Sequence, residues 1–305
     1  MKQKSKLSKL NAVLAVILAV VLIANVVVIA TKAVPVAVDA NAAEETDGPV
    51  IEVFAEGTYG GVSFASDADV VKYYAEAYNK TKAQTKEYVL DSGETVTWYA
   101  MLGEETLNVS NIMIEGKENA TINNLVPGIV GGLFTPGSAG LAPSASREPA
   151  ADTDEDGQSL QTCLLVPEDV IATNVKDNND GTITLQLQPK EVNMSHKGKD
   201  AQGHLFNSLG AIDKTVDSIT MLSWQSGTTA ENCLVNYKGG YATVTIDTAS
   251  GLITTADYHM EAHISVTHAN VTVLKDKSAN LLVTYDVHYP ASADYLKERV
   301  AATAK

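Results

Sequence analysis

The feature that most constrains this chain is a strict two-residue alternation near its C-terminal end. Ala256, Tyr258, Met260, Ala262, Ile264 and Val266 take every second position, while Asp257, His259, Glu261, His263 and Thr267 lie between and beyond them. Side chains on a strand point to opposite faces in turn, so this run is a long strand with one apolar and one wet face. Residues 280–289 repeat the pattern, with Leu281, Val283, Tyr285, Val287 and Tyr289 set against Leu282, Thr284, Asp286 and His288. A sheet wetted on one side is an antiparallel one. The alternation slips by one residue near 268–270, before Val271 and Val273, as a bulge or sharp bend would produce, so the sheet is expected to curve.

The rest of the chain supplies partners for those strands. Ser66 stands before Asp67 and Asp69, and Val70, Tyr74 and Tyr78 recur every four residues, which predicts an amphipathic helix over 67–81 whose tyrosines pack on a sheet. Residues 85–90 and 95–102 flank the turn cluster Asp91, Ser92, Gly93 and Glu94 and read as a hairpin. Apolar residues at helical spacing predict further helices over 119–133 and 200–216, although Pro127 and several glycines interrupt them. Residues 170–175 and 182–187 bracket a strong turn signal at 177–181. The closing meander reads as a strand over 233–237, a turn at Lys238, Gly239 and Gly240, a strand over 241–247, a turn over 248–251, and the two long strands. The expected organisation is a helix–hairpin–helix half over 51–134, a Pro-, Gly- and Asp-rich linker or long loop over 135–158, a strand-rich half over 159–290, and a C-terminal tail over 291–305 that is helical in part.

Lys2, Lys4, Lys6 and Lys9 precede an apolar run over 12–30, long enough as a helix to cross the ~30 Å hydrocarbon layer. Residues 1–32 therefore read as a basic stub with a transmembrane anchor or signal segment, and 33–50 as a spacer. Ala40, Asn41 and Ala42 offer an A-x-A pattern that a signal peptidase could cut, so retention and cleavage both stand. Either way the basic flank stays in the cytoplasm and the bulk of the chain faces outward. Beyond residue 42 there are 17 Lys and Arg against 36 Asp and Glu, a net charge of −19, which repels phosphate backbones and makes nucleic acid an unsuitable partner. The expected contacts are the membrane, through the N-terminal segment, and a lipid or protein. Cys163 and Cys233, the only cysteines, either pair in an oxidising exterior or stay as two separate thiols among apolar neighbours.

The segment YATVTIDTASGLITTADYHMEAHISV, with its V-x-I-D-x-x-x-G-x-I-x-x-A-x-Y core over 244–258, is similar to uncharacterised exported or membrane-anchored proteins of Gram-positive bacteria. At the level of fold, helices on a curved antiparallel meander resemble the lipoprotein-carrier-like (LolA/LppX-type) half-barrels. That resemblance implies a concave face able to hold an acyl chain. The chain lacks a lipobox cysteine and carries the long insertion over 135–158, so no binding residue is transferred.

Candidate sites follow from chemistry alone. Asp152, Asp154, Asp156 and Gly157 match positions 1, 3, 5 and 6 of a calcium loop, but Leu160 and Cys163 fall where positions 9 and 12 should supply oxygen, which leaves a weak Ca²⁺ site or a solvated acidic linker. His259, Glu261 and His263 share one wet face with Asp286 and His288. About 13 Å of strand separates residues i and i+4, so His259 and His263 are not expected to share one Zn²⁺; one His with Glu261 and a cross-strand partner could hold a metal, and the alternative is a row of ordinary polar residues on a solvated face. Nucleophile-elbow, P-loop and dinucleotide fingerprints are absent, and no cofactor is expected. The overall expectation is an α+β protein with helices on a curved, mainly antiparallel, half-barrel-like sheet. It is expected to act as a non-enzymatic envelope module that binds an apolar or amphipathic ligand, or a partner surface, near Tyr258, Met260, Ile264 and Tyr285. The alternatives are a cell-surface hydrolase, which needs two titratable groups converging in a cleft, and a purely structural protein.

Overall fold

The computed structural model describes residues 48–118, 120, 123–124, 126–128, 153, 159–206, 216–217, 219–220, 222–271 and 274–303. In chain order the elements are β1 (Gly57–Tyr59), β2 (Val62–Phe64), α1 (Asp67–Lys82), β3 (Thr85–Val89), β4 (Thr95–Tyr99), β5 (Glu104–Ile114) and β6 (Lys117–Glu118). After them come β7 (Val170–Asp177), β8 (Thr182–Pro189), β9 (Val192–Asn193), α2 (Ala201–Leu205), β10 (Leu222–Trp224), α3 (Thr229–Asn232) and β11 (Cys233–Tyr237). β12 (Tyr241–Asp247), β13 (Leu252–Val271), β14 (Leu274–Tyr289) and α4 (Ala293–Thr303) complete the chain. The protein is α+β and dominated by antiparallel sheet.

The main sheet runs β6-β5-β14-β13-β12-β8-β7. β13 is its spine. One side of β13 pairs with β14, from Ala256 opposite Tyr289 to Val271 opposite Leu274, and the other side takes β12, β11 and β10 in succession. The register of β13 on β14 shifts between Val266 and Val271, where Thr267 and His268 are both exposed and His268 takes φ +51°, so the broken alternation in the sequence corresponds to a bulge. Strands from both sides of residues 135–158 meet in this sheet, because β5 pairs with β14. They also share one apolar core.

That core lies on the inner face of the sheet and is covered by α1. Val70, Val71, Tyr74, Ala77, Tyr78 and Thr81 form the buried stripe of the helix. At its start the Asp69 carboxylate accepts the Ala65 N–H at 2.9 Å and the Ser66 hydroxyl at 3.1 Å, which holds Asp69 below the usual carboxylate range and ties the incoming chain to the first turn, where a negative charge is favoured. At its end Thr81 Oγ1 accepts the Ile253 N–H at 2.9 Å and so fixes the helix to the first residues of β13. In the centre the Tyr74 and Tyr258 hydroxyls bond each other at 2.8 Å, and burial pushes both phenols up. A smaller core joins the β3–β4 hairpin to α4 through Leu90, Trp98, Tyr99, Leu102, Tyr295 and Leu296.

Two expectations about the chain path are corrected. Lys238, Gly239 and Gly240 do not reverse the chain. β11 and β12 both pair antiparallel with β13, Tyr237 opposite Ala262 and Tyr241 opposite His259, so the two strands are collinear and the glycines form a kink between them. The helix expected over 200–216 is five residues long in the described part, capped by the Asp200 carboxylate on the Gly203 N–H, and Phe206 is already extended. The helix over 119–133 and the segment 135–158 lie largely outside the described residues. No helix among the described residues is long and apolar enough to cross a membrane, and the run over 12–30 lies outside them.

Candidate functional site

The four residues expected to contact a ligand belong to the core. Tyr258, Met260, Ile264 and Tyr285 are each 3% exposed or less and share one apolar core with the buried stripe of α1, whose Tyr74 hydroxyl bonds that of Tyr258. This corrects the expectation of an open apolar groove at those positions. The physical reason is that a strand face of this apolarity gains roughly 25 cal/mol per Å² by burial, and α1 carries a matching stripe within the same chain.

The cysteines also depart from pairing. Both are thiols. Cys163 is held by its N–H on Asn79 Oδ1 at 2.7 Å and acts electrostatically on Tyr74 and Tyr258, whereas Cys233 sits opposite Val266, eight residues further along β13. Eight residues of strand span about 26 Å, well beyond the ~7 Å Cα separation that a disulfide tolerates. Burial pushes the Cys163 thiol up to about 12, so it is a poor nucleophile. Asp152, Asp154 and Asp156, the expected weak Ca²⁺ ligands, lie outside the described residues.

The polar face of β13 is where side chains converge. His259 lies directly opposite Asp286, and its Nδ1 contacts the Asp286 carboxylate at 2.5 Å. Its Nε2 contacts Glu261 Oε1 at 3.1 Å, and the other oxygen of Glu261 lies 3.4 Å from His263 Nε2. Both imidazoles therefore lean along the strand toward the residue between them. A chain of four alternating groups, Asp286, His259, Glu261 and His263, results. His288 is not part of it: its Nδ1 pairs with Asp257 at 2.5 Å, one row away.

A cleft of about 500 Å³ opens over this chain, lined by Val50, Gly239, Tyr241, His259, Glu261 and His263. The kink between β11 and β12 makes it. At Gly240 a Cβ would sit 2.5 Å from the His259 carbonyl oxygen, and at Gly239, where φ is +82°, 2.9 Å from Glu261 Oε2. Only glycine lets the backbone lie this close to the strand and leave the carboxylate beside it. Tyr241 follows directly and sets its ring 6.1 Å from the His259 ring. Val50 closes another side, its N–H held by Gln188 Oε1 at 2.8 Å.

The hydrogen bond to Asp286, reinforced by that to Glu261, pushes the His259 imidazolium up to about 10. The bonds from His259 and His263 pull Glu261 down to about 2. Through the neutral range the cleft thus presents a fixed cation bound to a fixed anion. Efficient general acids and bases have pKa values near the working pH, and these two lie several units away on opposite sides. Among the described residues no three His, Cys, Asp or Glu side chains are placed to hold a metal ion.

The sequence pointed to the residues of the polar row but not to the cleft. The glycine pair reads as a hairpin turn, and the 13 Å between His259 and His263 takes no account of side chains leaning toward one another. A pair of glycines between two runs of matching alternation, 233–237 and 241–247, is the available signal for a kink. No protein-family model, no curated protein and no solved structure matches this chain.

Proposed function

We propose that this chain is an extracytoplasmic envelope module, tethered by its N-terminal apolar segment or released from it, that binds rather than transforms its ligand. The outward face of the sheet engages that ligand at the cleft over Glu261. The observation that carries this reading is the convergence of His259, Glu261 and His263 in a concave site beside Tyr241. Its volume falls within the ~300–1,000 Å³ typical of ligand sites. The −19 charge beyond residue 42 supports a solvated exterior role and opposes nucleic acid. A carrier of acyl chains, the role implied by the half-barrel resemblance, would need Tyr258, Met260, Ile264 and Tyr285 to be accessible, and all four are buried in the core.

A hydrolase is the second reading, because titratable side chains do converge in the cleft. The fixed protonation of His259 and Glu261 argues against it, since neither group exchanges a proton near neutral pH. The test is native mass spectrometry of the full-length protein purified from its own host, beside Glu261→Gln. A bound small molecule that is present on the wild type and missing from the variant supports binding at the cleft. A ligand that both proteins keep places the function elsewhere.

A further inference from the structure

We propose that the cleft over Glu261 is a carbohydrate site, which takes a neutral, polyhydroxylated ring against Tyr241 with its hydroxyls on the Glu261 carboxylate. This inference rests on the binding reading above and names its ligand class.

The charges in the cleft exclude most other classes. The Glu261 carboxylate is matched by the His259 side chain bonded to it, so an incoming cation gains little there and meets a like charge at 3.1 Å from the group it would bind. An anion meets Glu261 itself, with Asp286 behind His259, in a chain whose net charge is −15. A purely apolar ligand would strip water from His259, Glu261 and His263 with only Val50 and the Tyr241 ring in return. A neutral ligand rich in hydrogen-bonding groups remains.

Sugars fit the available valences. A carboxylate offers about four acceptor positions. His259 and His263 use one oxygen each, which leaves lone pairs on both Oε1 and Oε2 for two adjacent hydroxyl donors, the arrangement a vicinal diol presents. Tyr241 adds an aromatic ring beside them for the C–H side of a sugar. An extended peptide is the other neutral hydrogen-bonding candidate. It is disfavoured because β12 is paired on both sides, with β8 and β13, and between β12 and β11 the strand β13 lacks a ladder partner only at Met260 and Glu261. There the Gly239–Gly240 kink lies against the strand, with a Gly240 Cβ position 3.1 Å from the Glu261 nitrogen, which leaves no length of edge for an added strand. A sugar needs none.

The test uses the full-length protein on an array of neutral oligosaccharides. Hits are followed in solution by calorimetry with the retained trisaccharide, and N-acetylated, amidated triglycine serves as the neutral peptide probe. The proposal expects at least one neutral glycan to be retained, with affinity reduced about tenfold by Tyr241→Ala and by Glu261→Gln and kept by Tyr241→Phe, the loss of one stacking or charge-assisted contact. Cooperative thermal unfolding of every variant, with a midpoint above the assay temperature, shows that folding is not at issue. Retention of no glycan overturns the proposal, as does retention that all three variants keep. If triglycine binds and Tyr241→Ala abolishes it, the sugar assignment fails while the binding cleft stands. If neither probe binds and the ligand carried from the host survives Glu261→Gln, both readings fall.

Discussion

Replacing Tyr258 by Phe tests whether the inner face of the sheet is closed. The Tyr258 hydroxyl has its partner, Tyr74 Oη, at 2.8 Å, and both side chains are 2% exposed or less. Tyr258→Phe leaves the Tyr74 hydroxyl in an apolar core without that partner, at a cost of about 1–3 kcal/mol. Tyr74→Phe does the same from the other side. In the double variant both hydroxyls are gone, the rings keep their shape, and only the net value of one hydrogen bond is lost, so the pair together costs no more than either alone. The coupling between the two sites is then about 1–3 kcal/mol in a double-mutant cycle. Urea unfolding of the four full-length proteins, followed by tryptophan fluorescence, measures it. Should both single variants cost under ~0.5 kcal/mol and simply add, the hydroxyls lie in water, the face is open, and a ligand groove around Tyr258 must be reinstated.

Three further outcomes are expected. His259, raised to about 10 from an ordinary ~6.5, contributes stability that is complete below about pH 6.5 and lost as pH rises through about 10; Glu261, lowered to about 2, contributes above about pH 4.5 and loses its share as pH falls toward 2. Thermal midpoints should therefore be flat between those limits and decline on the alkaline side by the equivalent of roughly 1 kcal/mol, discounted for solvent screening, and His259→Gln should abolish that alkaline decline. Gly240→Ala, whose Cβ would lie 2.5 Å from a strand carbonyl, should destabilise by about 2 kcal/mol or more, against about 1 kcal/mol for Gly93→Ala, where φ is +83° but the surroundings are open; chemical denaturation ranks the two. Cys163 should resist alkylation at pH 8 in the native protein, and intact mass should show no loss of two hydrogens after mild oxidation, because Cys163 lies beside Tyr258 while Cys233 pairs opposite Val266, eight residues further along β13.

The parts of the fold legible in the sequence are those where one period runs unbroken. α1 shows itself by its four-residue spacing, β12 and β13 by their alternation, and the bulge near His268 by its interruption. β5 is not legible because Asn111, at φ +51°, shifts the pattern halfway, so Val109 and Ile112 face the core three residues apart rather than two. The β1–β2 hairpin has strands of only three residues, too short for a period to show, and its signal is the glycine pair Gly60 and Gly61, both at positive φ, between Tyr59 and Val62 as a two-residue turn demands. At the site, the wet face was readable residue by residue. Its concavity was not, since it comes from Gly239 and Gly240 meeting a strand about twenty residues later, a contact that no local pattern encodes.

The position of β13 at the centre of the sheet also orders the birth of the molecule. Glu104 on β5 pairs with His288 on β14, some 180 residues later, and α1 packs on a strand that begins at Leu252. At about 5–20 residues per second of synthesis, the first third of the protein waits roughly 10–40 s with its apolar surface lacking a permanent partner. Nascent chains stalled before Leu252 should remain protease-sensitive and hold on to chaperones, and the whole sheet should acquire protection together once the last hairpin emerges.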